Sequence, residues 1–381
     1  MNYFGDRKHI QGTWAFLGRL LIKALILFAI FNLLFLLLSP LPLLGPLSGY
    51  NVFFPGRARL PFGEDIERSY NISILQLEAM LNSHVISAGD KPEDEYRVLL
   101  IGDSSVWGFL LPPDQTLSAT INEHNYRRED GRIVRAFNLG YPTLSLTKDL
   151  LFLNRGLRYE PDLILWFITL EALPLKKQLT SPVVQQNPEA VKTLLAAHNL
   201  QLSTAEARFV EPTLWERTIV GQHRALADWV RLQLLGVMWA ATGIDHDVPA
   251  QYEHPSDDQS SDLEFQGFEE GEMAESDLGF AFLRAGINEA GSVPVIFINQ
   301  PIFIANGENS EMRYNDFYPR WAYDAYRQML ARVAAEQGWG YLDLWDVVPS
   351  DAYTDSAIHY SPRGVQAVVE RISQEILLPQ R

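Results

Sequence analysis

The run from Leu20 to Leu38, LLIKALILFAIFNLLFLLL, is the feature that most limits how this chain can fold. It has about the 20 residues that a helix needs to cross the hydrocarbon core of a membrane, and Lys23 lies near one end, where its charge can reach the interface. A cleaved signal peptide is the alternative. The apolar run is long, however, and the Pro-rich stretch Ser39–Pro42 after it has no Ala-x-Ala pattern. We therefore expect a transmembrane helix over residues 17–39.

Basic residues lie on the N-terminal side of this run. They are Arg7, Lys8, Arg19 and Lys23, whereas the first basic residue after the run is Arg57. Because positive charge tends to stay inside, we predict a single-pass protein of the cell membrane. Residues 1–16 would then be cytoplasmic, the main domain would lie outside, and the lipid bilayer would be the first partner.

Composition excludes several classes of function. The net charge of -16 argues against a nucleic-acid partner, because phosphate binding needs clustered Lys and Arg. The chain has no cysteine, so a disulfide, a zinc-thiolate site and a cysteine nucleophile are all excluded. With 381 residues, 47% of them hydrophobic, the chain can bury a large core.

Residues 40–95 are expected to form a stalk or linker. Within them, Pro40–Gly63 is rich in Pro, Gly and aromatic residues and has no periodic pattern, which predicts an extended segment near the membrane surface. A short helix is expected over Leu75–Leu81. The main domain is predicted to cover residues 96–381.

Short apolar runs alternate with amphipathic stretches through the main domain. This alternation is typical of a buried parallel sheet and predicts a doubly wound α/β domain with five strands. The predicted strands are Val98–Ile101, Arg135–Leu139, Leu163–Ile168, Val293–Ile298 and Tyr341–Leu344. The predicted helices between and after them are Leu146–Gly156, Ser276–Ala290, Tyr318–Gln337 and Arg363–Leu377.

An insertion of about residues 175–275 interrupts the pattern. Thr204–Ile244 is expected to be helical, and its aromatic and apolar stripe favours core packing, with a lid or membrane-contacting element as the alternative. The acidic part, 245–277, is expected to be a mobile loop. His246 and His254 stand beside carboxylates there, but their spacing fits no metal motif, so a solvated loop is favoured and no metal is expected.

Polar residues at the carboxyl ends of the predicted strands are the candidates for chemistry, because ligands of such sheets bind at that edge. Ser104 follows the first strand and His359 lies in the last strand-to-helix loop. A serine and a histidine that meet there suit nucleophilic acyl transfer, with Asp355 as the group that orients the imidazole. The N–H groups of Ser104 and Gly140 are candidate donors to an oxyanion. The site is expected to be lined by Asp103, Thr169, Glu171 and Asn299.

At these residues the sequence resembles the SGNH (GDSL-type) hydrolase and acyltransferase superfamily. VLLIGDSSVWGF is similar to the family's first block, with Ser104 at the nucleophile position. Phe137–Gly140 resembles its glycine block, and Thr354–His359 followed by Ser361–Gly364 resembles its final histidine block. The resemblance extends from about Arg97 to Ile376 outside the insertion. It implies a flavodoxin-like three-layer α/β/α fold and ester hydrolysis or O-acyl transfer without metal or organic cofactor.

Two positions depart from the family pattern. Glu171 stands where the third block normally has an Asn that helps to hold the oxyanion. The usual acid, three residues before the histidine, is Ser356 here, and Asp355 lies one residue further away.

Alternatives also remain at single residues. Ser104 could simply cap a helix, and Asp103 is expected to bond the turn. Trp107 and Phe109 are expected to pack under the stalk, with an acyl pocket as the alternative.

Two functions follow from these observations. The first is a membrane-anchored esterase or O-acyltransferase that acts on a cell-envelope glycan, lipid or polymer, with a possible acyl-donor partner. The second is a catalytically degenerate protein of the same fold that binds glycan or scaffolds a complex. A nucleotide-binding domain is disfavoured because neither G-x-G-x-x-G nor G-x-x-x-x-G-K-[ST] occurs in the chain.

Overall fold

A five-stranded parallel sheet forms the centre of the computed structural model, which describes residues 5–45, 47–53, 56–63, 75–202, 209–242, 244 and 248–378. The strands are β1 Glu95–Ile101, β2 Ile133–Asn138, β3 Leu163–Ile168, β4 Val295–Asn299 and β5 Gly340–Asp343. Their order across the sheet is β2-β1-β3-β4-β5, which is the order of flavodoxin-like doubly wound domains. The predicted α/β fold is confirmed, and each predicted strand overlaps an observed one.

Helices cover both faces of this sheet. Those of the described residues are α1 Gly5–Leu38, α2 Leu41–Leu44, α3 Gly49–Phe53, α4 Leu77–Ser83, α5 Ser104–Trp107, α6 Leu117–His124, α7 Leu146–Gly156, α8 Pro182–Gln186, α9 Pro188–Ala197, α10 His223–Thr242, α11 Phe280–Ala290, α12 Arg320–Gln337 and α13 Pro362–Ile372. One face of the sheet packs with α7, α11 and α12, and the other with α6 and α13. All six residues of β3 are buried, as expected of a strand covered on both faces.

The first helix contains the predicted span. Its section Trp14–Leu38, 25 residues long, is long and apolar enough to cross a membrane, and none of it is buried against the rest of the chain. The observed helix starts earlier than the predicted one, at Gly5.

The segment after α1 differs from the extended stalk that the composition predicts. It forms the short helices α2 and α3, and α2 carries a proline in its first turn, where the missing N–H costs nothing. Residues 56–63 then pack into the domain, where Arg59 and Leu60 are fully buried. The predicted short helix is α4, shifted by two residues. Residues 64–74 lie outside the described part of the chain.

The insertion contributes α8, α9 and α10. The helix expected over Thr204–Ile244 is shorter and begins at His223, whereas residues 214–222 form turns. Residues 203–208 lie outside the described part. Trp229 and Leu232 of the predicted stripe face the core, whereas other apolar residues of α10 are exposed.

The acidic loop was expected to be mobile, but its described part, 248–277, is docked on the domain. The Asp257 carboxylate accepts the N–H of Asn306 at 2.9 Å, and Asp258 accepts the N–H of Glu308 at 2.8 Å. These two carboxylates attach the loop to the segment after β4, and the mobility of the loop stays a prediction. His254 packs beside the ring of Phe303, and His246 lies outside the described residues. The residues that the structure describes contain no cluster of metal-ligating side chains.

Candidate active site

Three predicted residues meet at the carboxyl edge of the sheet. The Nε2 atom of His359 lies 2.7 Å from the Oγ of Ser104, and the Nδ1 atom lies 2.8 Å from Oδ1 of Asp355. A proton on Nδ1 of His359 satisfies both contacts, since Nδ1 then donates to the carboxylate and Nε2 accepts from the serine hydroxyl. This is the arrangement of a serine nucleophile, a general base and an orienting acid.

The acid in this arrangement is Asp355, which lies four residues before the histidine and not three. Residues 354–359 form a tight turn, in which the N–H of Thr354 donates to the carbonyl of His359 at 2.9 Å. In this turn the side chain four residues before the histidine, that of Asp355, reaches the imidazole. Burial raises the pKa of the Asp355 carboxyl, but its contact with His359 outweighs burial and places that pKa below its ordinary value. Asp355 is therefore ionised at neutral pH.

His359 reaches Ser104 because its loop crosses the sheet edge. Strands β3 and β4 separate β1 from β5, so the loop after β5 must pass over the end of β4. It is held there by the N–H of Phe303, which donates to the carbonyl of Ala357 at 2.7 Å.

Ser104 is the first residue of the short helix α5, and the cap of that helix is Asp103. The Oδ1 atom of Asp103 accepts the N–H of Ser105 at 2.8 Å, so the alternative that Ser104 serves as the cap does not hold. Gly108 ends the helix with φ of 86°, a conformation that glycine adopts without strain. The hydroxyl of Ser104 is thereby left free to meet His359.

A buried glutamine, which the sequence pattern alone does not assign to the site, fixes the serine turn. The Nε2 group of Gln300 donates to Oδ2 of Asp103 at 2.8 Å, and its Oε1 accepts the hydroxyl of Ser105 at 2.6 Å. Gln300 is fully buried and follows β4 directly. It thus joins the loop after β4 to the turn that carries Ser104.

Asn299, the neighbour chosen from the sequence, does not line the site. Its Nδ2 donates to Asp343 at 2.8 Å, and its Oδ1 accepts the hydroxyl of Tyr326 at 3.0 Å. Successive residues of a strand point to opposite faces, which turns Asn299 toward α12. The expectation for Asn299 is corrected: its side chain joins β4 to α12 and β5.

Gly140 does not offer a free N–H for an oxyanion. Its N–H donates to the side-chain oxygen of Asn138 at 3.0 Å, and the Asn138 amide donates in turn to the carbonyl of Val106 at 2.7 Å. A Cβ at Gly140 would lie 2.7 Å from the Trp107 nitrogen, so this glycine allows the loop after β2 to approach α5 closely. The expectation for Gly140 is therefore corrected from oxyanion donor to packing position.

Ser104 remains a candidate oxyanion donor. Its N–H lies in the first turn of α5, where no intrahelical carbonyl is available.

Thr143, in the loop after β2, has φ of 115°, which is unusual for a β-branched residue and typical of strained functional loops. No signal in the sequence would have singled out Thr143.

The polar residues after β3 are engaged with other groups. The Glu171 carboxylate forms an ion pair with Lys177 and accepts the side-chain amide of Gln266 at 2.7 Å. Burial raises the pKa of Glu171, and the contact with Lys177 opposes that rise. The hydroxyl of Thr169 lies 2.9 Å from that of Tyr318. Glu171 thus ties the β3 loop to the insertion and supplies no hydrogen-bond donor to the site.

A buried lysine joins the first two loops of the site, and it too was missed. The Nζ of Lys148 donates to the carbonyls of Gly102 at 2.7 Å and Tyr141 at 2.8 Å. It also forms an ion pair of 2.7 Å with Asp149, and both side chains are buried. The signal available was a Lys-Asp pair inside the otherwise apolar segment LTKDLLFL.

Aromatic residues surround the site. The Trp107 indole donates to the carbonyl of Leu60 at 2.8 Å, so Trp107 does pack under the segment that follows the span. The ring centroid of Phe109 lies 4.9 Å from that of His359, so Phe109 borders the site. Tyr252 of the insertion donates to the carbonyl of Leu110 at 3.2 Å. Burial raises the pKa of Tyr252, and the nearby Asp355 adds to the rise.

No protein-family model and no curated protein sequence matches the chain. Similar solved structures include a member of the lipolytic protein G-D-S-L family from Veillonella parvula, at 11% identity, covering 74% of this chain and 97% of that one, with a TM-score of 0.34. A lipase/acylhydrolase from Enterococcus faecalis is 15% identical over 75% and 99% of the two chains, with a TM-score of 0.35. A carbohydrate acetylesterase family member from Sinorhizobium meliloti is 11% identical over 72% and 94%, with a TM-score of 0.31. Such distant similarity carries no information on the chemistry of this chain.

Proposed function

We propose that this chain is an SGNH-type serine esterase or O-acyltransferase, anchored in the cell membrane, that acts on an ester of a cell-envelope glycan, lipid or polymer. The observation that carries the proposal is the chain of contacts from Ser104 through His359 to Asp355. The blocks around Ser104 and His359 in the sequence, together with the flavodoxin-like order of the strands, support the same assignment.

The first half of the reaction forms an acyl-enzyme. Oγ of Ser104 attacks the ester carbonyl carbon while its proton passes to Nε2 of His359, and negative charge develops on the carbonyl oxygen. The Ser104 N–H is the proposed donor to that oxygen. When the tetrahedral intermediate collapses, the bond to the alcohol oxygen breaks and His359 returns the proton to that oxygen. Asp355 keeps the imidazole in the required tautomer and stabilises the imidazolium.

The second half releases the acyl group. A hydroxyl, from water or from an acceptor such as a glycan, gives its proton to His359 and attacks the acyl carbon. The bond to Oγ of Ser104 breaks, and His359 returns the proton to Oγ. Water gives an esterase, and a bound acceptor gives a transferase, in which case a partner that supplies the acyl group is part of the proposal.

Membrane anchoring is supported by the apolar section Trp14–Leu38 and by the basic residues before it. In the proposed orientation the N-terminus is inside and the main domain is outside. The absence of cysteine allows a direct test, in which a Cys placed at the exposed Asp90 reacts with a membrane-impermeant maleimide in intact cells. A Cys at Asn2 should react only after lysis, and the reverse pattern would refute the orientation.

A catalytically degenerate binding or scaffolding protein is the second candidate. One observation favours it: Glu171, at the position of the family's oxyanion-binding Asn, is ion-paired with Lys177. A carboxylate accepts hydrogen bonds and does not donate them unless it is protonated.

A fluorophosphonate probe distinguishes the two candidates. The full-length protein in detergent micelles should gain the mass of one probe, and the Ser104→Ala variant should gain none. Ser105→Ala is the matched control, because the Ser105 hydroxyl is bonded to Gln300 and this variant should still be labelled. If the wild-type protein is not labelled while a control serine hydrolase is, the binding or scaffolding function is the better assignment.

A further inference from the structure

The helix α10 carries apolar side chains on two faces, and the protein covers only one of them. Leu232 and Gly236 are buried toward the domain. Val230, Leu234 and Met238 are 48%, 63% and 50% exposed. These three follow one another at intervals of four residues and therefore lie along one side of the helix. Packing against the domain therefore does not explain the apolar residues on this side of α10.

Further exposed apolar residues lie in the two chain segments that are bonded to α10 or precede it. In the turn before α10, Leu214 and Trp215 are 71% and 65% exposed, and in the segment after α1, Leu47 and Phe53 are 56% and 79% exposed. Single exposed apolar residues are common on proteins, but a continuous group of them marks a contact surface.

Two hydrogen-bonded links hold α10 beside the segment that follows α1. The Gln233 side chain accepts the N–H of Gly49 at 2.8 Å and donates to the carbonyl of Leu47 at 3.1 Å. Both partners lie in the short segment between α2 and the first turn of α3, so α10 is held close to the end of the proposed span.

A third hydrogen bond indicates the depth in the membrane at which the turn before α10 lies. The N–H of Val220 donates to Oδ1 of Asn32, a residue of α1, at 3.4 Å. Trp14 is the kind of residue that lies at a membrane interface, and a helix rising 1.5 Å per residue places Asn32 about 27 Å from it. The hydrocarbon core is about 30 Å thick, so Asn32 would lie near its outer boundary. The turn that contains Trp215 would then lie at the same depth in the membrane as Asn32.

We propose that α10 and the preceding turn, Thr213–Gln222, lie at the membrane–water interface on the outer side of the bilayer that α1 spans. Val230, Leu234, Met238 and Trp215 would then be in contact with lipid. Arg231, whose side chain is 66% exposed, lies about 60° from Leu234 and about 20° from Met238 around the helix, so it borders the apolar side and its long side chain would extend to the headgroups. Asp228, which is paired with Arg231, lies about 160° from Val230 and about 120° from Leu234, on the polar side of the helix. A helix with one apolar and one charged side that lies beside a spanning segment suits such a position.

This inference rests on the membrane anchoring in the proposed function and extends it. With contacts at α1 and at α10, the domain cannot rotate freely about its tether. Leu60, which follows α3 in the chain, accepts the indole N–H of Trp107, and Trp107 follows Ser104 by three residues. In the proposed placement the site would therefore lie close to the bilayer. A substrate ester that is carried by a lipid, or by a polymer at the membrane surface, fits this placement.

Spin labels on single cysteines test the inference, because the natural chain has no cysteine. The full-length variants Leu234→Cys, Val230→Cys and Trp215→Cys are labelled with a nitroxide and placed in phosphatidylcholine vesicles. Power saturation then compares collisions with oxygen, which is enriched in lipid, and with a water-soluble nickel complex. Asp228→Cys, about 120° around the same helix from Leu234, is the matched control, and Phe28→Cys is the reference within the span.

The inference predicts preferential oxygen collisions at Leu234, Val230, Trp215 and Phe28, and preferential nickel collisions at Asp228. Nickel-accessible labels at Leu234, Val230 and Trp215 together with an oxygen-accessible label at Phe28 would overturn the inference and leave the anchor standing. Labels that neither reagent reaches would mean that another protein copy covers this surface, which also overturns it. A nickel-accessible label at Phe28 would refute both the inference about α10 and the proposed membrane anchoring by α1. Serine reactivity plays no part in the measurement, so an inactive Ser104 would not change the outcome.

Discussion

The His359 imidazole lies 2.7 Å from the Ser104 hydroxyl, although 255 residues separate the two in the chain. The doubly wound fold explains this contact, because all parallel strands end at one edge and the last loop crosses that edge to reach the first. Asp355 holds the far side of the imidazole, and Phe109 packs against the ring. The arrangement is held by local contacts that can be changed one at a time.

Replacing Asp355 by Asn should slow labelling of Ser104 by a fluorophosphonate on the order of a hundredfold or more, because the amide can donate to Nδ1 of His359 and stabilise the wrong tautomer. The measurement is the second-order rate of labelling, followed by intact mass. Ser356→Ala is the matched control, since Ser356 has the spacing typical of the family acid but does not contact the imidazole. Equal rates for Asp355→Asn and wild type would contradict the role of Asp355.

Apolar patterning was sufficient to predict the sheet from the sequence. Runs such as LILWFI have few alternatives to a strand buried on both faces, and the polar residues after them mark the edge where ligands bind. Ser104 and His359 could therefore be placed near one another without any structure. The flavodoxin-like order followed from a resemblance of short motifs rather than from patterning.

Side-chain direction at the ends of the strands could not be predicted. Asn299 and Gln300 are adjacent polar residues, and only the exact end of β4 decides which of them faces the serine turn. In the same way, the choice of Asp355 depends on a turn whose geometry the spacing does not reveal. The packing of Arg59 into the domain was missed because a Pro- and Gly-rich segment carries no periodic signal.

Replacing Lys148 by Met should destabilise the protein by about 3 to 5 kcal/mol, because Asp149 would remain as a buried charge without its partner. Burial raises the pKa of Asp149, so part of the cost would be met by proton uptake. Chemical unfolding of the full-length protein in micelles, followed by circular dichroism, gives the free energy of unfolding. The double variant Lys148→Met/Asp149→Asn should lose less than the sum of the single variants, and additive losses would contradict the pairing.

Replacing Gln300 by Leu should cost about 1 to 3 kcal/mol of stability, because Asp103 and Ser105 lose a buried partner. It should also slow the labelling of Ser104, since the serine turn is no longer fixed. Gln300→Glu tests the cause: it retains the shape but places a second carboxylate beside Asp103. This variant should label more slowly than Gln300→Leu at neutral pH, and the difference between the two rates, each taken relative to the wild-type protein at the same pH, should shrink as the pH falls. A labelling rate that neither change affects would show that Gln300 has no positioning role.

His84 should make the protein sensitive to acid. Burial lowers the pKa of His84 to about 4 from an ordinary value of 6.5, although its hydrogen bond to the Ala58 carbonyl at 3.0 Å acts in the opposite direction. Between these two values the unfolded chain binds a proton that the folded chain does not. The free energy of unfolding should therefore fall as the pH is lowered from about 6.5 toward 4, by about 1.4 kcal/mol per pH unit at most and roughly 3 kcal/mol in all.

The His84→Gln variant separates this effect from the titration of other groups. Its free energy of unfolding should lose less between pH 7 and pH 4 than that of the wild-type protein, so the difference between the two proteins should change steadily across that range. Parallel pH dependences would mean that His84 is not held neutral in the folded state. Protonation of His84 at Nδ1 breaks the hydrogen bond that this atom accepts from the Ile86 N–H at 3.1 Å, and it places a buried charge beside the segment that packs on Trp107, so that packing should weaken first. Trp107 should then become accessible to solvent at a higher pH than the core, and hydrogen exchange at pH 5 would detect this as early loss of protection at residues 57–60 and 84–86.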